Sequence, residues 1–256
     1  MIALTVAGSD CGGGAGVQAD LKTFAALGIY GTSAITAITV QNTLGVSAVH
    51  ALGPQLVAAQ IAAVREDFDV AAIKLGMLAT AEIVAAVGAA VAGARAVVYD
   101  PVMAASSGDA LIGEGFVAAA MGLFPQLDLI TPNLAEAARF LGGAEAHTEA
   151  EMAAQGRAVC ALGAPAVLMK GGHLEGAAVD LLVTAAGVRR FSTPRIASPN
   201  LHGTGCVLSS AICGYIAKGL DLVEAVARGK AFTRRAIENG RELALGRGAG
   251  PLIPAP

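Results

Sequence analysis

The sequence predicts an α/β fold, with a mostly parallel sheet and helices on both faces. Three observations point there. Short β-branched runs alternate with longer Ala-rich helical stretches along the chain, the pattern of βαβ units. Hydrophobic residues make up 55% of the 256 residues and charged residues only 14%, which fills a large core and excludes a disordered chain. Polar or Gly-rich segments recur at the carboxyl ends of the expected strands, where open α/β sheets bind ligands. No repeat, low-complexity segment or long polar linker interrupts the pattern, so residues 1–256 are expected to form one domain.

Residues 2–7 read as a strand, and 15–27 as a helix with Val17, Leu21 and Phe24 on one face. Residues 33–40 are the next strand and 42–45 a turn. A helix over 54–68 has Pro54 in its first turn. Then come a strand at 71–75, a helix at 81–91, a strand at 96–99, a helix near 114–123 and a strand at 127–130. Helices at 133–141 and 149–162 precede a strand at 166–170 and a hairpin over 179–191. Two helices, near 203–218 and 221–238, close the chain, with Asp221 as N-cap of the second. A TIM barrel is the competing architecture; the hairpin and the paired closing helices disfavour it.

Composition narrows the function. The chain has 33 glycines, 4% aromatics and no Trp, so Ala, Val, Ile and Leu must pack its interior. With 17 Lys+Arg against 20 Asp+Glu the net charge is −3, and no basic stripe or aromatic stacking set suggests nucleic acid. No apolar run reaches about 18–20 residues, and the start, MIALTVAGSD, lacks the basic region of a signal peptide. Four cysteines, Cys11, Cys160, Cys206 and Cys213, show no metal or disulfide spacing, so a cytoplasmic setting is expected.

The segments at strand ends are Gly8 to Gly14, Gln41–Asn42, Lys74 to Met77, Asp100–Pro101, Thr131 to Asn133 and Lys170 to His173. The most informative is His202-Gly203-Thr204-Gly205-Cys206, entering an Ala/Leu-rich helix. Glycines there admit close backbone approach, and free N–H groups of a helix start form an anion hole. A plain Gly-rich turn before a buried helix reads equally well. The early glycine cluster is no Walker A loop, since no GK[ST] follows, and it lacks the dehydrogenase GxGxxG pattern.

Together these segments resemble the hydroxymethylpyrimidine/phosphomethylpyrimidine kinase family of thiamine biosynthesis, within the ribokinase-like superfamily. The carrying motifs are AGSDCGGGAGVQADLKTFAALGIYG, ITAITVQNTLGV, KLGML, DPVMAASSGDALI, LITPNLAEA, VLMKGGHLEG and HGTGCVLSSAI, collinear from Ala7 to about Ile212. The resemblance implies a three-layer αβα sandwich, commonly a homodimer. It implies that Mg-ATP phosphorylates 4-amino-5-hydroxymethyl-2-methylpyrimidine, and then its monophosphate to the diphosphate. The chain leaves no room for a fused thiamine-phosphate synthase domain.

Residue by residue, the resemblance implies that Asp20 faces the pyrimidine from the first helix; its pattern alone also fits a solvated helix charge. Gln41 matches the glutamine that reads the pyrimidine, and an amide offers the ring edge both a donor and an acceptor. Gly8, Ala15, Val40, Met77 and Val102 match wall positions, although Met77 also reads as core filler. Cys206 takes the place of the superfamily's catalytic Asp, with Gly203 and Gly205 beside it. At a helix N-terminus its thiolate is favoured, so it is expected to be catalytic, with a base role as the hypothesis. Glu136 matches a metal-side NxxE motif, while Asn133 and Glu136 also have capping-box spacing. Asp100 is expected near the phosphates and metal, and Lys170 toward the ATP phosphates. Thr204, Asn133 and, less securely aligned, Lys230 fall on the nucleotide side.

Two departures stand out. DPSGGAG reads Asp10 to Gly16 here without its Pro and Ser, and Ser106 replaces a commoner Lys. Pyridoxal kinase is the alternative enzyme, and a non-catalytic pyrimidine-binding sensor the alternative class.

Overall fold

The computed structural model describes residues 1–104, 111–172 and 176–255; Ser106 and His173 lie outside them. Among the described residues, nine strands form one open sheet. They are β1 (Ile2–Asp10), β2 (Tyr30–Asn42), β3 (Gly45–Ala51), β4 (Val70–Leu75), β5 (Val97–Tyr99), β6 (Leu129–Ile130), β7 (Ala166–Lys170), β8 (Ala178–Thr184) and β9 (Gly187–Thr193). Their spatial order is β3-β2-β1-β4-β5-β6-β7-β8-β9. Strands β2 to β7 in that order run parallel, while β3, β8 and β9 pair antiparallel. The sheet ends in β3 on one side and β9 on the other, so it does not close into a barrel.

The helices are α1 (Gly16–Ala26), α2 (Pro54–Asp67), α3 (Ala81–Val91), α4 (Phe116–Met121), α5 (Leu134–Leu141), α6 (Glu149–Ala161), α7 (Thr204–Ala217) and α8 (Leu222–Gly240). They divide between the two faces as expected. One buried cluster joins Val57 and Ile61 of α2, Ile83 and Val87 of α3, Phe116 of α4, Phe140 of α5 and Val159 of α6 to the sheet. The other joins Phe24 of α1, Ile212 of α7 and Phe232 of α8 to the opposite face. Local chemistry starts the helices where the sequence places them. Pro54 opens α2, the Thr80 hydroxyl accepts from the Ile83 N–H, and Asp221 accepts from the Glu224 N–H.

Three elements differ from expectation. The expected turn at 42–45 lies between β2 and a further strand, β3, whose run Gly45–Ala51 pairs back along β2. Strand β6 is only two residues long and α4 only six. These flanking segments carry too little local pattern to set their own ends, and tertiary pairing sets them.

Candidate active site

The chain passes from β1 outward through β2 and β3, then returns to β4 on the other side of β1. This reversal opens a crevice at the carboxyl ends of β1 and β4. The Gly8–Ala15 loop and the Lys74–Met77 segment leave the sheet there. The amino end of α7 closes over the same place. Gly203, with φ +85°, would drive a side-chain Cβ to 1.9 Å from the Gly14 carbonyl oxygen, and Gly16, with φ +56°, would bring one to 2.2 Å from that of Gly8. Backbone packs directly on backbone at both contacts, and only glycine fits.

A charged cluster lies against the start of α7. Lys170 Nζ is 2.6 Å from Asp100 Oδ1 and 3.8 Å from Glu136 Oε2. Thr131 donates to Asp100 Oδ1 at 3.2 Å, and Ser209 of α7 to Oδ2 at 3.4 Å. A Cβ on Gly205 would sit 3.2 Å from Lys170 Nζ and 3.3 Å from Asp100 Oδ2. No side chain caps α7. Its first peptide groups therefore meet the cluster without a capping oxygen in between.

Glu136 does both things its sequence allowed. Its N–H donates to Asn133 Oδ1 at 2.8 Å and its carboxylate accepts from the Asn133 N–H at 2.7 Å, a complete capping box. The same carboxylate faces Lys170. Burial, with Asp100 adding to it, outweighs the pull of Lys170 and raises its pKa from 4.5 to about 7. A carboxyl raised in the fold holds a proton that the unfolded chain releases. Its stabilising contribution is therefore full below pH 4.5 and is lost as pH rises through about 7. Urea midpoints of the protein should fall from pH 5 to pH 8, and in Glu136→Gln that part of the slope should vanish.

Asp100 and Glu136 are hard oxygen donors in a crowded acidic pair, which suits a divalent cation. Among the described residues no group of three metal-ligating side chains forms. The pair therefore fits Mg²⁺, which uses one or two carboxylates and takes its other ligands from phosphate and water.

Cys206 is buried and its sulfur lies at the start of α1. Burial pushes its thiol up to about 11, with Asp20 and Asp100 adding to the rise; Lys74 and the Gly16 N–H pull the other way and lose. The expectation that the helix terminus favours a thiolate is corrected here: desolvation keeps the thiol protonated. Cys213 is fully buried core, as expected.

Asp20 also departs from expectation. It neither faces an open pocket nor is solvated. Its side chain is 0% exposed, and both oxygens are taken. Lys74 Nζ lies 3.0 and 2.8 Å from them, Thr5 donates at 2.6 Å and Ser210 of α7 at 2.6 Å. No acceptor position remains for a ligand, so Asp20 serves the floor of the site rather than its wall. Lys74, equally buried, lies just beneath Gly76, where a Cβ would meet its Nζ at 2.8 Å.

The remaining residues fall into place unevenly. Gly8 packs on the Met77 sulfur, and a Cβ there would lie 3.1 Å from it. Met77 is buried, as its core reading required; Val102 is half-buried, and Val40 is exposed on β2. Ala15 precedes α1 and donates its N–H to Asp10 Oδ2 at 2.9 Å. The Gln41 amide lies 3.1 Å from His202 Nε2. Thr204 turns its hydroxyl back to the Leu201 carbonyl at 2.7 Å. Lys230 is buried and pairs with Asp180, which also accepts from the Gly171 N–H at 3.2 Å. Its ammonium is thus spent on steadying the chain just after Lys170. Sequence reasoning did not single out Lys74, Asp10, His202, Ser209 or Ser210 as site residues. The signal available was their place inside the segments KLGM, GSDC, HGTGC and LSSA.

The geometry has counterparts. A family model described as Phosphomethylpyrimidine kinase matches residues 10–253. A hydroxymethylpyrimidine/phosphomethylpyrimidine kinase of Rhizobium meliloti is 52% identical over 98% of this chain and 96% of that protein. A crystal structure of a phosphomethylpyrimidine kinase from Clostridium difficile superposes with TM-score 0.81 at 41% identity, over 93% of this chain and 99% of that one. An ADP complex of Bacillus subtilis pyridoxal kinase superposes with TM-score 0.91 at 34% identity, over 99% of this chain and 97% of that one.

Proposed function

Because this chain belongs to the phosphomethylpyrimidine kinase family and has a ribokinase-like α/β fold, we propose that it phosphorylates 4-amino-5-hydroxymethyl-2-methylpyrimidine and then its monophosphate. ATP is the phosphoryl donor, and the diphosphate feeds the synthesis of thiamine diphosphate. The observation that carries this reading is Gly205 set against the Lys170–Asp100 pair at the uncapped start of α7. Such a place suits a phosphoryl group that gathers charge in transfer.

Geometry and family resemblance together support the following roles. Gly203 and Gly205 let the backbone of α7 approach the phosphates, with Thr204 and Asn133 on the nucleotide side. Lys170, held charged by Asp100 and Glu136 against the opposing effect of burial, offsets phosphate charge. Asp100 and Glu136 would hold Mg²⁺, which draws together and neutralises phosphate oxygens when bound. Lys230 acts indirectly, through Asp180 and Gly171. Gln41 reads the ring edge, with Gly8, Ala15, Val40, Met77 and Val102 as wall.

Cys206 stands beneath the reacting hydroxyl as a thiol at neutral pH. It orients that hydroxyl, and only its thiolate form takes the proton, which in a loose transition state leaves late, as the phosphoryl bond forms. Cys206→Ala should lower kcat by about 10²-fold, the lower range for a lost proton-transfer group. Steady-state rates check this, and a Cys206→Ser variant with unchanged turnover would remove the proton-accepting role.

The whole reading is tested by incubating purified protein with Mg-ATP and, separately, the hydroxymethylpyrimidine, its monophosphate and pyridoxal, with products read by mass. Mono- and diphosphate from the pyrimidine are expected. Product from pyridoxal alone would move the chain to that substrate.

We place the protein in the cytoplasm as a homodimer. Its four cysteines are all free thiols, which suits a reducing compartment. Ile38, Val40, Leu44 and Val49 expose apolar surface on the β2–β3 hairpin, which suits a second copy. No helix among the described residues is long and apolar enough to cross a membrane.

A further inference from the structure

The Gln41 side chain is held at both ends by the protein itself. One end of its amide lies 3.1 Å from His202 Nε2, the other 3.2 Å from Thr39 Oγ1. His202 Nε2 lies also 3.1 Å from Asp10 Oδ2. Asp10 ends β1, and its carboxylate accepts the N–H groups of Gly12 at 2.8 Å, Gly14 at 3.1 Å and Ala15 at 2.9 Å. Residues 192 positions apart thus meet at one oxygen.

We infer that Asp10 and His202 lock the Gln41 carboxamide in a single orientation, its oxygen toward His202, and so determine which heteroaromatic ring edge the site accepts. The inference rests on the proposed role of Gln41 as ring reader.

Proton counting carries it. Asp10 accepts three N–H groups, a pattern that only a carboxylate satisfies fully. Burial raises its pKa, but His202 and these N–H groups overcome that and hold it below the usual carboxylate value. An ionised Asp10 has no proton to give, so the proton between it and His202 sits on Nε2. The Gln41 atom that shares Nε2 must then be an acceptor. Both ends of a carboxamide have the same shape, and the hydrogen-bond inventory decides between them. As the side chain lies, with its nitrogen toward His202 and its oxygen accepting from Thr39 Oγ1 at 3.2 Å, the amide faces N–H with N–H; turned over, the contact is resolved. With the oxygen toward His202 no donor faces a donor: Nε2–H is shared by Asp10 and Gln41, Gln41 N–H goes to Thr39, and Thr39 to Ser9.

The locked amide keeps one N–H and one oxygen lone pair for a ligand, in fixed order. That order fits a ring nitrogen beside an exocyclic amino group, which offers an acceptor next to a donor. A pyridine ring whose neighbouring substituent differs can satisfy only one of the two. His202 and Asp10 are therefore positioning residues, acting through Gln41.

The test uses the full chain with the aminopyrimidine alcohol and with pyridoxal. His202→Phe keeps the ring shape and removes the proton. Its KM for the pyrimidine should rise tenfold or more, while KM for ATP stays within about twofold and the preference over pyridoxal shrinks. Thr39→Val removes the other end of the lock from β2 and should move the same two quantities in the same direction, and it decides the matter if His202→Phe does not fold. Equal changes in KM for ATP and pyrimidine would overturn the inference in favour of general loop support. An unchanged pyrimidine KM in either folded variant would overturn it too. Gln41→Leu separates the premise: if it leaves pyrimidine KM unchanged, the ring-reader role itself falls; if it raises KM while His202→Phe does not, only the lock falls.

Discussion

Lys170→Met should lower kcat by about 10³-fold, the upper range for loss of one preorganised electrostatic group. The ammonium is the cationic member of a cluster whose other members, Asp100 and Glu136, are both acidic and buried. Without it, the cluster keeps two carboxyl groups and loses the side-chain cation that pairs with them. Glu136, already pushed up to about 7, also loses the charge that restrains it, so its titration should move further up. The effect belongs to kcat more than to pyrimidine KM, because Gln41 and His202 are held apart from this cluster by their own bonds. Lys170→Arg should recover little: a planar fork needs more room than an ammonium, and Gly205 leaves none to spare. Initial-rate measurements on both variants check this. Turnover within tenfold of the parent in Lys170→Met would show that phosphate charge is met elsewhere.

The second large effect is on stability. Asp20→Ala should lower the free energy of unfolding by about 3–5 kcal/mol, the range for stripping one partner from a buried ion pair. Lys74 would keep its charge with no exposed surface, and Thr5 and Ser210 would lose their acceptor. Against a domain stability of about 5–15 kcal/mol that is a severe loss, and equilibrium urea unfolding reads it directly. Replacing both partners, Asp20→Leu with Lys74→Met, should return much of the stability, because paired apolar groups cost no desolvation. Turnover should not return with it. Lys74 pulls the Cys206 thiol down more than Asp20 pushes it up, so losing both raises the thiol further and the double variant should be folded and slow. Full activity in it would make the pair purely structural.

The architecture was legible because its signals are local and periodic. Val17, Leu21 and Phe24 mark one face of α1, and Pro54, Thr80 and Asp221 mark helix starts. The two-sided cover of the sheet followed from the alternation of elements. Strand β3 was not legible, because its residues 47–50 are all exposed, leave no alternating buried face to impose a pattern, and take their register from β2. The segments that would make a site could be listed from the sequence, HGTGC for its glycines at a helix start and KGG and NLAE through the family resemblance. What the residues do to one another was not legible. An aspartate on an amphipathic helix reads the same whether it meets water or Lys74. Likewise a cysteine at a helix start reads as acidic until the packing that desolvates it is known.

The contact between Gly203 and Gly14 has a consequence for how the protein comes into being. Strand β1 lies in the interior of the sheet, yet the site above it is completed by the first turn of α7, nearly 190 residues later in the chain. During synthesis the early strands emerge long before their cover does. Until α7 and α8 arrive, the face of the sheet bearing Ala72 and Val98 has only α1 to cover it, and such surface invites misassociation. Long-range closure of this kind is also slow to form. The substrate crevice is therefore the last part of the molecule to exist, and a nascent chain stopped before its final quarter is both sticky and inert.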